Sequence, residues 1–183
     1  MLLHSEDEAM RELAQAWKAH PGAGDACEAL RSEQVRCFGR RISLSLIRQL
    51  DRPGVLKFDA DTAHPSWALL TGLSERSATL RAAGSEQTVT LAALAQRWQG
   101  DFATLWRTPP GYDDRADGVP ARAWIAQHVG APAGKRTSPD LRADIRAFQV
   151  ANGLPVDGNA GQLTFMQLNR AGGVDEPRLA KAP

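Results

Sequence analysis

Apolar positions recur at helical spacing at the start of the chain. Met10, Leu13, Ala14 and Trp17 lie on one face of a segment running from Glu6 to Ala19. Ser5, with Glu8 three residues on, forms a capping box at its start, and His20-Pro21-Gly22-Ala23-Gly24 ends it. A second helical stretch, Asp25 to Ser32, carries Cys27, and a third, Ser43 to Leu50, has Leu46, Ile47 and Leu50 apolar behind a Ser43 cap. The pattern changes at Asp51-Arg52-Pro53-Gly54. Val55–Phe58, Trp67–Leu73, Ala78–Arg81 and Gln87–Leu91 read as strands, the last two joined by a hairpin turn at Ala83-Gly84-Ser85. Leu91 to Trp98 reads as a short helix and Phe102–Trp106 as a final strand. Helices followed by several short strands predict an α+β domain with a largely antiparallel sheet.

Pro109 to Gly118 is rich in Pro, Gly and Asp and reads as a linker. Beyond it the pattern is purely helical. Trp124, Ile125, His128 and Val129 share a face of Pro120–Val129. Ser138 is a candidate N-cap with Pro139 at the first helical position. Leu141, Ile145 and Phe148 then follow at i, i+4 and i+7, and Asn152-Gly153 closes that helix. A tight loop, Asp157 to Gly161, leads into a last helix, Gln162–Asn169, with Phe165 and Leu168 inward. The expected boundaries are a domain over 1–112, a linker over 113–118, a small three-helix domain over 119–173 and a frayed tail over 174–183.

Composition narrows the function classes. The chain has 183 residues, 22 Lys+Arg against 21 Asp+Glu, and 43% apolar residues. This balance lacks the clustered basic excess of a nucleic-acid surface and the acidic excess of a disordered tail. No run of about 18 apolar residues occurs, so no membrane insertion by this chain is expected. The first residues lack a basic n-region and a long apolar h-region, which is expected of a cytosolic chain or of a domain cut from a longer anchored protein. Cys27 and Cys37 have neither a CxxC partner nor a Cys/His cluster at zinc spacing, so no metal site is expected. Three readings of the pair remain open: two reduced thiols, a disulfide, or a catalytic Cys27 thiol.

The segment Leu141 to Gln149, followed by Asn152-Gly153-Leu154-Pro155-Val156-Asp157-Gly158, Gly161-Gln162-Leu163-Thr164 and Leu168-Asn169, resembles the peptidoglycan-binding domain type 1. Each fixed point also has a physical reading. Gly153 permits a positive φ at a helix C-cap. Asp157-Gly158 makes a turn whose carboxylate can accept amides at the next helix start. Gly161 lets the third helix approach its neighbour, and Phe148 and Leu168 fill the core. Polar groups beside the groove, Arg146, Gln149 and Thr164, are the candidate ligand contacts. The resemblance implies a non-catalytic domain that holds cell-wall glycan or stem peptide.

Leu50 to Leu56, Trp67 to Leu73, and Leu94 to Leu105 with Trp98-Gln99-Gly100 inside resemble the papain-like cysteine peptidases that trim double-glycine leaders. The family's catalytic points do not carry over. Cys27 stands in Asp25-Ala26-Cys27-Glu28, but no Gln occurs between Ala16 and Glu33 to serve the oxyanion. Ser66 stands at the His position, and no Asp lies between Asp61 and Asp101. His64, two residues early and before Pro65, reads as a surface-loop histidine. A thiol without base, orienting group or oxyanion donor has little to activate it.

The Leu-Asp-Arg-Pro block, Trp98-Gln99-Gly100-Asp101-Phe102 and Leu105 to Pro110 bring the two domains closer to one family, the periplasmic region of general secretion pathway protein A. That resemblance implies a degenerate peptidase-like domain followed by a wall-binding one, exported as part of an inner-membrane component of type II secretion. It favours a Cys27–Cys37 disulfide and no cofactor. No GxxxxGK[ST] occurs, so no ATP site is expected here. The implied partners are peptidoglycan, other secretion components and the secretin, whose assembly the tether would support. An active cysteine peptidase or wall amidase, and a protein-interaction module, are the rival readings.

Overall fold

The computed structural model describes residues 2–112, 119–129 and 140–183, and these fall into two compact units. The first comprises Met1–Trp106 together with Glu176–Pro183, and the second is Arg107–Asp175. Residues 113–118, expected to be the linker, and the candidate cap Ser138-Pro139 lie outside the described residues.

In the first unit, helix α1 (Glu6–Ala16) starts where the Ser5 hydroxyl accepts the Glu8 amide. It buries Ala9, Met10, Leu13 and Ala14 against the sheet. Helix α2 (Ala26–Leu30), capped by Asp25, runs into a 3-10 turn, Arg31–Glu33. Strand β1 (Val35–Arg41) comes next, followed by α3 (Leu44–Leu50) behind its Ser43 cap. Strands β2 (Gly54–Phe58), β3 (Ser66–Leu73), β4 (Ser77–Ala82) and β5 (Ser85–Thr90) follow, then α4 (Leu91–Ala95) and β6 (Trp98–Arg107). They form one six-stranded sheet in the order β1-β6-β2-β3-β4-β5, with β2–β3, β2–β6, β3–β4 and β4–β5 antiparallel. The α+β architecture with an antiparallel sheet is as the sequence predicts. At its centre the backbones of β2 and β6 approach closely. A Cβ at Gly54 would lie 2.4 Å from the Phe102 ring and 2.5 Å from the Ala103 carbonyl oxygen, so only glycine fits there.

Two sequence expectations are corrected here. The pattern predicts no element over Val35–Arg41, which is an edge strand. Trp98, expected to end a helix, begins β6 and pairs with Phe58. The tail, expected to be frayed, is ordered. Ala180 bridges Gly72, its amide donating to the Thr71 carbonyl at 2.9 Å and its carbonyl accepting from Leu73 at 3.0 Å. Its anchor is Glu176, which meets Arg52 at 2.8 Å with both side chains 1% exposed. Arg52 also donates to the Leu105 carbonyl at 3.0 Å and lies over the Trp17 ring. A buried guanidinium needs a counter-charge and acceptors for its protons; Glu176 supplies the charge and, with the Leu105 carbonyl, accepts from the two terminal nitrogens.

The second unit packs α5 (Val119–Val129), α6 (Leu141–Ala151) and α7 (Gln162–Ala171) around Ile125, Val129, Ile145, Phe148, Leu154, Phe165, Met166 and Leu168. Helix α6 begins at Leu141, with the Asp140 carboxylate accepting the Arg142 and Ala143 amides. Phe148 and Leu168 fill the core as expected.

Candidate functional site

The loop between α6 and α7 gathers most of the residues singled out in the helical unit. Gln149 faces inward from α6 and is 2% exposed. Its two Nε2 protons are shared among Asp157 Oδ1 at 2.9 Å, the Asn159 carbonyl at 2.9 Å and Thr164 Oγ1 at 3.1 Å. Its Oε1 accepts the amides of Asp157 at 3.1 Å and Gly158 at 2.9 Å. One side chain thereby satisfies a whole turn of backbone that has no strand or helix partner. Asp157 Oδ1 also accepts the Asn159 amide at 2.8 Å. The Asn159 amide, then the Gln149 side chain, stabilise the charged carboxylate and hold it below its ordinary range.

This geometry revises two of the three expected contacts. Gln149 has spent both amide protons and both carbonyl lone pairs, and Thr164 is 3% exposed with its hydroxyl engaged by Gln149. Both side chains are buried and turned into the loop. Arg146 is exposed, and its Nε would lie 2.9 Å from a Cβ added at Gly158. Arg142, which the sequence reading passed over, flanks the same glycine through its Cγ at 3.0 Å. The spacing Arg142–Arg146 across one helical turn is the signal that marks it.

The roles of the glycines and of Asp157 also differ in part. Gly153 has φ +58 just after the Asn152 C-cap, the left-handed position predicted for it. Asp157 closes its own loop rather than capping α7, whose N-cap is Gly161 without a side-chain bond. A Cβ on Gly161 would meet nothing within 4 Å, so close helix approach is not what places a glycine there.

In the sheet unit, Cys27 on α2 and Cys37 on β1 form a disulfide with Cα atoms 5.6 Å apart. Ser66 opens β3 opposite Phe58, its hydroxyl buried, and His64 is exposed in the preceding loop. Among the described residues no group of three or more His, Cys, Asp or Glu could hold a metal ion. No described helix is long and apolar enough to cross a membrane.

Comparison with known proteins places these features. Residues 128–168 match the model of the putative peptidoglycan binding domain. The chain is 26% identical, over 94% of its length, to general secretion pathway protein A of Aeromonas hydrophila, and spans 34% of that relative. It aligns over 96% of its length with a periplasmic domain of the EpsAB fusion protein of the Vibrio vulnificus type II secretion system, covering 82% of that chain at TM-score 0.59 and 16% identity. A peptidase C39 like domain from Vibrio parahaemolyticus aligns at TM-score 0.38 and 16% identity over 58% of this chain and 86% of its own, too remote to define the fold. The chain thus shares its fold with a periplasmic domain of a type II secretion protein, and its sequence is similar to that of general secretion pathway protein A.

Proposed function

We propose that the chain is a non-catalytic peptidoglycan-binding module on the periplasmic side of the inner membrane. It tethers a type II secretion component to the cell wall and thereby supports assembly of the outer-membrane secretin. The observation that carries this reading is the helical unit, with its Gln149-stapled loop inside the segment that matches a peptidoglycan-binding family. The sheet unit supports the non-catalytic part. A sulfur in a disulfide is no nucleophile, and the position where the peptidase family has its base is Ser66. A shallow surface holding a flexible polymer spends much of its contact energy on ordering the ligand, so each copy binds weakly. Many copies on one wall act by avidity.

The test is co-sedimentation of the full chain with purified sacculi, alongside incubation with muropeptides and double-glycine leader peptides. Retention on sacculi with no cleavage products is the expected result. Failure to sediment refutes the tether, and cleavage that vanishes in Cys27→Ala restores the peptidase reading.

A further inference from the structure

Arg142 and Arg146 project from the exposed side of α6 one turn apart, where i and i+4 side chains are neighbours. Like charges at that spacing disfavour the helix slightly, and several other arginines in the molecule are paired with acids. Arg11 has Asp7, Arg41 has Asp101 and Arg97 has Asp59. Among the described residues, neither Arg142 nor Arg146 has a carboxylate partner. Asp157, the acid of the adjoining loop, is engaged by the Asn159 amide and by Gln149.

What lies beneath the pair is a backbone turn without a side chain. Gly158 has φ +72, and a Cβ there would come within 2.9 Å of Arg146 Nε and 3.0 Å of Arg142 Cγ. The missing side chain lets both arginines lie along the turn, and Gln149 keeps that turn fixed from below. The site is therefore preformed. Beside it stand Val150, 65% exposed and one further turn along α6, and Val156, 52% exposed and two residues before Gly158. Two uncompensated guanidinium groups next to two exposed branched apolar side chains suit a ligand that alternates carboxylates with small alkyl groups. The peptide stems of peptidoglycan have that chemistry, with free carboxylates between alanyl methyls. The uncharged hydroxyls of the glycan do not call for guanidinium, whose planar fork matches a carboxylate.

We propose that Arg142 and Arg146 form a carboxylate-binding pair that reads the stem peptide rather than the glycan, with Val150 and Val156 receiving its alkyl groups. The inference rests on the wall-binding reading above and adds its chemical specificity. It is tested on the full chain by calorimetric titration and by competition for sacculi. The probes are a stem peptide with free carboxylates, the same peptide amidated, and a glycan oligomer built of N-acetylglucosamine alone, which carries no carboxylate. The free-acid peptide should displace the chain from sacculi, the amidated one should bind at least about tenfold more weakly, and the glycan should not compete. The double variant R142Q/R146Q should lose at least about tenfold in affinity for the free-acid peptide. Its thermal unfolding should be unchanged, because both side chains are exposed. Glycan competition equal to that of the peptide, or a double variant that keeps its peptide affinity within twofold, overturns the proposal while leaving wall binding standing. A wild-type chain that binds neither sacculi nor free-acid peptide overturns both.

Discussion

Gln149 shows at the scale of one residue why a motif position can look like a ligand contact and be something else. A primary amide offers two donors and two acceptor lone pairs, and in this unit all are consumed by the 157–164 segment. Its polarity is legible in the sequence, but its direction is not, since helical spacing alone does not say whether a polar group faces a loop or the solvent. Gln149→Leu keeps the bulk and strands the Gly158 amide in the interior, so the helical unit should lose at least about 2 kcal/mol. Chemical denaturation followed by the Trp124 signal checks this. Asp157 adds a pH dependence. Its folded-state pKa lies below the unfolded value, so its stabilisation is full above the ordinary carboxylate range, about pH 4, and is lost as pH falls through the folded-state value. The acid limb of the helical unit's stability should flatten in Asp157→Asn, measured as denaturation midpoint against pH.

At the scale of elements, those with their own local signals are the ones the sequence predicts. Helices α1 and α3 start at Ser5 and Ser43, where short hydroxyls accept the first free amides, and the β4–β5 hairpin turns at Ala83-Gly84. Strand β1 escaped because its neighbour β6 lies some sixty positions away, as the Arg41–Asp101 pair shows, and its alternation is interrupted by Gly39 and three arginines. The tail escaped for the same reason. Residues 176–183 have no periodicity of their own, and what orders them is a charge buried 124 positions earlier. That pair yields a sharp expectation. Glu176→Ala leaves the Arg52 guanidinium buried without its counter-charge and should destabilise the sheet unit by about 3–5 kcal/mol. The joint replacement R52M/E176L removes both charges and should recover most of that loss, read by thermal unfolding of the single and double variants.

At the scale of the whole molecule, the sheet unit holds Cys27 in a disulfide, and its sequence lacks the base and orienting carboxylate of the peptidases it resembles. Cys27 is where a nucleophile would stand, and it is bound to Cys37 across a separation of ten residues. Closing a loop of that size contributes about 3 kcal/mol by restricting the unfolded chain, and such bonds persist in an oxidising compartment. Mass spectrometry of the non-reduced chain should therefore show a deficit of about two daltons, and reduction should lower the thermal midpoint of the sheet unit. Reduction also makes the harder test of function possible, because it returns the thiol. A thiol at its ordinary pKa near 8.5 is mostly protonated at neutral pH, and activation needs a base within hydrogen-bond reach. Ser66 cannot serve as that base, His64 sits in an exposed loop, and the sequence has no Asp from Thr62 to Gln99 to orient an imidazole. The reduced chain should accordingly turn over neither leader peptides nor muropeptides, at any pH from 6 to 9 where it stays folded, while it still sediments with sacculi through the helical unit. Product formation by the reduced chain that is abolished in His64→Ala would show that the base had moved two residues along the chain instead of being lost.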